Sequence, residues 1–438
     1  MKKPRLKFQT PTGMKDVLPE EEVYYERIYS ITDQYADFYG FKKIETPILE
    51  NYELFVKSTG PTTDIVEKQM YLLKTRGGEY LALRPEFTPS LARSYFENGM
   101  VAWPHPVKLY TRGPLFRYER PQAGRYRQFH QINFEIFGSK KPIADVEIIW
   151  LFVKILEALG VKEVIVELNS IGDSQCRPYY KKVLTRYLKR NEASLCATCK
   201  KRLKRNPLRV LDCKEIRCQK IVKQGPQIID YLCEECHDHF EKVLEYLEAL
   251  GIPYILNPYL VRGLDYYTKT VFEIIPQKDQ EIRQNALVGG GRYDGLLKLI
   301  GKQDIPACGG AGGVERIIEF LKENNVSVEK KEIAPEIFIA QLGDEAKIES
   351  LKLIEEFQKA KIPVTFQLSR DSLTNQLKIA NRKKVKYVII IGKEEVLQGA
   401  PILRDMETGD QKSIPRNRLI KEVKNALKKE KKKRLKQK

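Results

Sequence analysis

A chain of 438 residues, 42% apolar and 31% charged, can bury a sizeable core, and at roughly 100–200 residues per domain it suggests two to four domains. Its net charge is +19; the last eleven residues hold eight basic side chains against one glutamate, leaving +12 on the body, a balance that attracts nucleic acid. No run approaches the roughly 18 apolar residues of a membrane span, the N-terminal lysines have no apolar stretch behind them, and eight cysteines are too few for a disulfide scaffold, so a reduced, cytoplasmic setting is expected.

In chain order, EVYYERIYSITDQYADFYG reads as an amphipathic helix stopped at Gly40, and FKKIETPILE as a strand broken by Pro47. EYLALRPEFTPSLARSYFENG is a strand running into a helix, with Thr88 as N-cap, Pro89 at the first helical position and Gly99 at the end. KLYTRGPLFRYE and YRQFHQINFEIFG form a hairpin across the basic loop RPQAGR. Consecutive strands without crossover helices predict an antiparallel sheet and an α+β fold. Residues 172–250 are Lys-rich, helical in texture and hold most of the cysteines, which suggests an insertion; strand patterns then resume through ALVGGGRYDG. Beyond Pro335, IFIAQL, KIESLKLIEEFQKAK, PVTFQL, LTNQLKIANRKKV and YVIIIG alternate as strand and helix, predicting a three-layer α/β domain.

Alternation assigns faces within the hairpin. Gln131, Asn133 and Glu135 share one side of the second strand, and His130, Ile132, Phe134 and Ile136 the other. A carboxylate and two amides in mid-strand are costly if buried unpaired, so together with Arg117 and Glu119 they suggest a polar floor fit for a small zwitterion. Three further segments carry arginines: RPEFT (84–88), VRGLDYY (261–267), and GGAGGVER (309–316), read as a Gly-rich turn opening a helix. None is a P-loop or a dinucleotide fingerprint, which points to a polyphosphate held by arginine side chains.

FRYERPQAGRYRQFHQ resembles motif 2 of class II aminoacyl-tRNA synthetases, and GAGGVER their motif 3. VRGLDYY and VGGGRYDG resemble two segments peculiar to the histidyl-tRNA synthetase family, bacterial type, and the likeness extends from TPTGMKDVLP to the C-terminal α/β domain. The resemblance implies ATP-dependent activation of L-histidine, transfer to tRNA(His), a homodimer, and magnesium accompanying ATP. By position it implies that Arg117 and Arg262 are catalytic at the α-phosphate, Arg262 standing where related enzymes use a metal ion. Arg316 would hold the γ-phosphate and Arg125 the outer phosphates. Phe129 would stack on adenine, with Glu119 and Tyr126 completing the ATP site. Glu86, Thr88 and Gln131 would take the α-ammonium of histidine, while Glu135 and Tyr267, beside Tyr266, would read its imidazole. Phe87 stands where many relatives have glycine and is expected to narrow the wall beside Glu86. The rival readings are a non-catalytic paralogue acting as an ATP phosphoribosyltransferase regulatory subunit, and a sister synthetase for threonine, proline or glycine.

The expected organisation is a catalytic core over 1–171 and 251–325, an insertion over 172–250, a linker over 326–334, an anticodon-binding α/β domain over 335–425 and a basic tail over 426–438. Within the anticodon-binding domain a basic helix at 378–386 and the neighbourhood of Arg404 and Gln411 are the candidate tRNA contacts. Two Cys-x-x-Cys pairs, Cys196/Cys199 and Cys233/Cys236, suggest one structural zinc site, with Cys213 and Cys218 as substitutes and His237 and His239 close by. The 33 residues between the pairs exceed the usual ribbon spacing of about 15–20.

Overall fold

The computed structural model describes residues 8–61, 63–120, 124–277, 286–326, 328 and 335–436; the expected linker and the middle of the 120–125 loop fall largely outside these. The chain divides into two compact units, 1–329 and 330–438.

The first unit is built on an eight-stranded sheet whose order runs 42–43, 107–116, 128–137, 307–313, 288–292, 268–276, 164–170 and 254–256. Its six inner strands pair antiparallel and only the two edge strands pair parallel, which is the α+β class expected from the hairpin-rich sequence. A second sheet of three strands, 49–51, 80–83 and 71–74, takes the other half of FKKIETPILE, since Pro47 prevents one strand from serving both sheets.

Two helices cover one face of the large sheet. Pro19–Phe38 begins with Pro19 and three glutamates in its first turn, where the helix dipole favours them, and buries Tyr25, Ile28, Ile31, Thr32 and Ala36 at helical spacing. Gly40, at φ +76°, lets the chain reverse so that Phe41 N–H donates to the Ala36 carbonyl at 2.9 Å. Pro142–Leu159 is apolar nearly all round, and its Ile148 and Phe152 pack beside Ile132, Phe134 and Ile136 of the hairpin. The ring of Phe134 meets that of Phe152 edge-on at 5.4 Å.

Between 177 and 249 every main element is helical: Arg177–Arg190, Ala197–Arg205, Ile216–Lys223 and Glu234–Ala249. The first three share a core with Leu260, Tyr266 and Tyr267, so most of the cysteine-rich segment packs on the part of the sheet unit that carries RGLDYY, whereas Phe240, Val243 and Leu247 of the fourth join the core beneath Pro142–Leu159.

The second unit has a five-stranded sheet in the order 364–366, 337–341, 387–391, 402–405 and 411–413. Ile337 and Ile339 face a core completed by Leu353, Phe357, Leu419 and Val423, whereas Phe338 and Ala340 face one completed by Ala380, Val385 and Val388. Helices on both faces of a sheet make the three layers anticipated. The expected basic helix at 378–386 stops at Arg382, and Lys386 instead pairs with Glu336 at 2.7 Å. Arg404 and Gln411 are register partners on neighbouring strands.

Candidate active site

Two adjoining cavities open on the large sheet. The first, about 260 Å³, is lined by Glu86, Thr88, Gln131, Asn133, Tyr266, Tyr267 and Tyr293, with Arg117 and Arg262 at one end. Glu86 sits just ahead of the helix Thr88–Glu97; Tyr266 Oη donates to its Oε2 at 2.8 Å, and its Oε1, buried, has no hydrogen-bond partner among the described residues. Burial pushes the Glu86 carboxyl up to about 7, opposed by the nearby Arg117 guanidinium and the Tyr266 hydroxyl. An open acceptor aimed into a small polar cavity is a receptor for one ammonium group.

Glu135 lies under this cavity rather than in its wall. Its side chain is fully buried, accepting a hydrogen bond from Thr88 Oγ1 at 2.7 Å and another from the Tyr293 hydroxyl. Burial raises its carboxyl to about 8 in spite of those donors. The Thr88 hydroxyl is therefore spent on Glu135 and does not cap its helix, whose N-cap is Phe87 without any side-chain cap bond. Phe87 does not narrow the wall: it is fully buried, with the Arg84 guanidinium 4.5 Å over its ring.

The second cavity, about 270 Å³, is lined by Glu119, Arg125, Tyr126, Phe129, Glu273 and Arg316 and shares Arg117, Gln131, Arg262, Gly289 and Ala311 with the first. Arg117 Nε is anchored on the Pro85 carbonyl at 2.9 Å, and its guanidinium stands 5.3 Å over the Phe129 ring. Arg316 Nη1 donates to the Ala286 carbonyl at 2.9 Å; burial and the neighbouring Arg125 lower its affinity for the proton, and Glu273, Glu119 and Glu319 offset this only in part. Arg125 reaches Glu119 at 3.5 Å, and Tyr126 Oη donates to Glu319 at 3.1 Å. Arg262 lies at the joint, paired with Glu273 and with its buried Nε unpartnered among the described residues. Burial opposes its charge, but Glu273 together with Tyr267 and Tyr266 outweighs it. One cavity suits an amino acid, the other a polyphosphate with a planar base, and the guanidinium groups of Arg117 and Arg262 lie at both.

The segment read as a Gly-rich turn is instead an inner strand, Ala307–Gly313, with the helix Val314–Glu323 following it directly. Its glycines answer to crowding: a Cβ at Gly309 would collide with Glu135, and one at Gly310 would come to 2.8 Å from Phe152. In the strand Val288–Arg292, a Cβ at Gly289 would lie 2.5 Å from the Arg262 guanidinium.

The sequence pattern of the histidyl-tRNA synthetase family matches residues 13–317, and that of an anticodon-binding domain matches 336–426. The chain belongs to the histidyl-tRNA synthetase family. It is 41% identical to a histidine–tRNA ligase of Caldanaerobacter subterraneus subsp. tengcongensis over 96% of this chain and 99% of that one. A histidine–tRNA ligase of Acetivibrio thermocellus is 42% identical over 95% and 99% respectively. Among solved structures, apo histidyl-tRNA synthetase of S. aureus superposes with a TM-score of 0.76 at 33% identity, covering 94% of this chain and 99% of that chain.

All the histidyl-tRNA synthetase positions singled out in the sequence except Glu135 and Phe87 line one or both cavities. Sequence reasoning missed Tyr293, which lies inside VGGGRYDG, and Glu273, whose signal was a lone carboxylate in the apolar strand TVFEII. It also missed Asp64, Arg209 and Asp212 on the wall of the first cavity, which no local pattern announces.

The expected zinc quartet is not assembled. Cys196 and Cys199 gather with Cys213 and Cys218, whereas Cys233 and Cys236 gather with Cys176 and Asp173. Each Cys-x-x-Cys pair does converge, but the two pairs converge on different places, because the helices of the insertion carry them apart. His237 is exposed, and His239 is turned to Asp145 at 3.2 Å, so neither joins a cysteine cluster.

Proposed function

We infer that the chain joins L-histidine to ATP, forming histidyl-adenylate and pyrophosphate, and then transfers histidine to the 3′ end of tRNA(His). The observation that carries this is the junction of the two cavities at Arg117 and Arg262, within a chain of this family. Glu86, when ionised, receives the α-ammonium together with Gln131 and the Thr88 hydroxyl oxygen, and Tyr266 fixes the carboxylate that does so. Tyr267 and Tyr293 complete the pocket for the imidazole, with Glu135 holding Thr88 and Tyr293 in place from beneath. Phe129 and Tyr126 frame the adenine side, and Arg125 and Arg316 meet the outer phosphates. ATP enters as its magnesium complex, and Glu119, a carboxylate lining the second cavity, would face that magnesium.

A carboxylate oxygen of histidine attacks the α-phosphorus while the bond to the bridging oxygen breaks and pyrophosphate leaves. No covalent enzyme nucleophile is needed; the work is positioning, and stabilising charge on phosphate oxygens by fixed guanidinium groups. The terminal ribose hydroxyl of tRNA then attacks the adenylate carbonyl and AMP departs. Discrimination rests on hydrogen bonding: a competitor without an imidazole leaves buried polar groups unpaired, which rejects it by about 10⁴–10⁵.

We read residues 335–425 as the tRNA-anticodon contact, 172–250 as an insertion into a core of 1–171 and 251–325, and the active form as a cytoplasmic homodimer. Histidine-dependent ATP–pyrophosphate exchange followed by charging of tRNA(His) is the test. Exchange with threonine, proline or glycine instead, or no exchange at all by folded protein, overturns the reading; the second result is what a regulatory paralogue gives.

A further inference from the structure

The two cysteine clusters share no member, and each has the form of a closed metal site. In the first, the sulfur atoms of Cys196, Cys199, Cys213 and Cys218 all lie within 4.8 Å of one another and are buried. Four thiolates about 2.3 Å from a tetrahedral zinc stand about 3.8 Å apart. The Cys196 and Cys213 sulfurs are separated by 3.8 Å. In the second, Cys176, Cys233, Cys236 and an oxygen of Asp173 lie equally close together, with 3.3 Å between the Cys176 and Cys233 sulfurs. These separations are far beyond a disulfide bond of about 2.05 Å.

The backbone is arranged for thiolates. Cys196 N–H donates to Cys218 Sγ at 3.2 Å, Cys199 N–H to Cys196 Sγ at 3.3 Å, and Cys233 N–H to Cys176 Sγ at 3.2 Å. Cys196, Cys176 and Cys233 are the N-cap residues of the helices Ala197–Arg205, Arg177–Arg190 and Glu234–Ala249, at the positive ends of their dipoles. Four like charges this close cannot coexist without a cation among them. Three thiolates and a carboxylate, or four thiolates, suit zinc, whose binding releases the thiol protons.

We propose that the insertion holds two zinc ions, one at Cys196, Cys199, Cys213 and Cys218 and a separate one at Asp173, Cys176, Cys233 and Cys236, and that the second positions the histidine pocket. The link to the pocket is short. Arg177, next to Cys176, donates from Nε to the Ile171 carbonyl at 3.1 Å and from Nη2 to the carbonyl of Tyr267. Lys269 N–H donates to the Gly172 carbonyl at 2.8 Å. An ion at Asp173 and Cys176 therefore fixes the turn that holds the carbonyl of Tyr267, a residue of the first cavity, and the backbone of Lys269 two residues beyond it. This second clause rests on the proposed histidine site, whereas the presence of two ions does not depend on it.

The test is metal analysis of untagged full-length protein purified without chelator or affinity metal. Two zinc ions per chain are expected, falling to one in Cys199→Ser and to one in Cys236→Ser. One ion or fewer in folded wild-type protein, or iron in either place, overturns the proposal whatever the variants do. If both ions leave together in either variant, the sites are not separate. In pyrophosphate exchange, Cys236→Ser is expected to raise KM for histidine several-fold with KM for ATP held, and by more than Cys199→Ser, whose cluster reaches the cavity wall through Asp212, next to Cys213. Equal effects of the two substitutions on KM for histidine refute the positioning role while leaving the zinc count to be judged on its own measurement.

Discussion

Arg262 meets both cavities, and its charge is held in place by Glu273. A cation fixed beside the α-phosphate contributes mainly as charge builds there, so Arg262→His should lower kcat of pyrophosphate exchange by about 10²–10³, the usual cost of losing one preorganised donor. Glu273→Gln breaks the same ion pair but leaves the guanidinium, so it should lower the thermal midpoint while retaining most of kcat; equal loss of kcat in both variants would show that the pair is structural. Glu86 offers a pH signature. Its carboxyl is raised from 4.5 to about 7 by burial, so the folded chain holds that proton more tightly than the unfolded chain does. Its contribution to stability is therefore full below about 4.5 and is lost as pH climbs through about 7, at up to about 1.4 kcal/mol per pH unit. Ligand binding runs the other way, since the ammonium of histidine needs the ionised carboxylate. Without ligand, Glu86→Gln should flatten the fall in thermal midpoint between pH 5 and 7, and it should weaken histidine binding most at the alkaline end. An unchanged pH slope would mean that Glu86 is not the group that titrates. The sequence exposed Arg262 and Glu86 through short polar segments inside apolar surroundings. It could not expose Asp64, Arg209 or Asp212, because they meet at the cavity only through tertiary packing, Arg209 pairing with Asp64 across 145 positions of the chain at 2.8 Å.

Strands that carry side chains announce themselves by alternation, and the faces of Gln128–Phe137 were readable for that reason. Ala307–Gly313 has almost no side chains to alternate, and so glycines that look like a turn turn out to be an inner strand. What selects glycine there is the flush packing of the helix Pro142–Leu159 and of Phe272. Gly310→Ala would bring its Cβ to 2.8 Å from Phe152 and 3.1 Å from Ile148, an overpacking that typically costs about 1–3 kcal/mol. Its thermal midpoint should drop by several degrees. Gly295→Ala is the control, since that residue has ordinary negative φ and nothing within 4 Å of the added carbon, and it should stay near wild type. Equal stability of the two variants would remove the crowding argument. The cysteine pairs follow the same division between local and distant information. Spacing makes Cys196 meet Cys199 and Cys233 meet Cys236, but which pairs meet each other depends on helices whose mutual arrangement leaves no periodic trace.

At the scale of the whole molecule, the alternating texture after Pro335 was legible because each strand and helix carries its own apolar pattern, and the structure gives each unit separate cores. No helix among the described residues is long and apolar enough to cross a membrane. Separate cores make the two activities separable. A chain ending at residue 329 keeps both cavities and should retain histidine-dependent pyrophosphate exchange within roughly tenfold, whereas charging of tRNA, which needs the rest of the nucleic acid held, should fall far more. Parallel collapse of exchange and charging would argue that the C-terminal unit serves only to hold the first one together. The last eleven residues should behave differently from the rest of that unit. Their charge of +7 can attract phosphates of any sequence and releases counterions in proportion to the contacts it makes. Deleting residues 428–438 should therefore flatten the dependence of tRNA affinity on salt, with cognate and noncognate tRNA losing affinity by similar factors. A selective loss for tRNA(His) would instead place a specific contact in the tail.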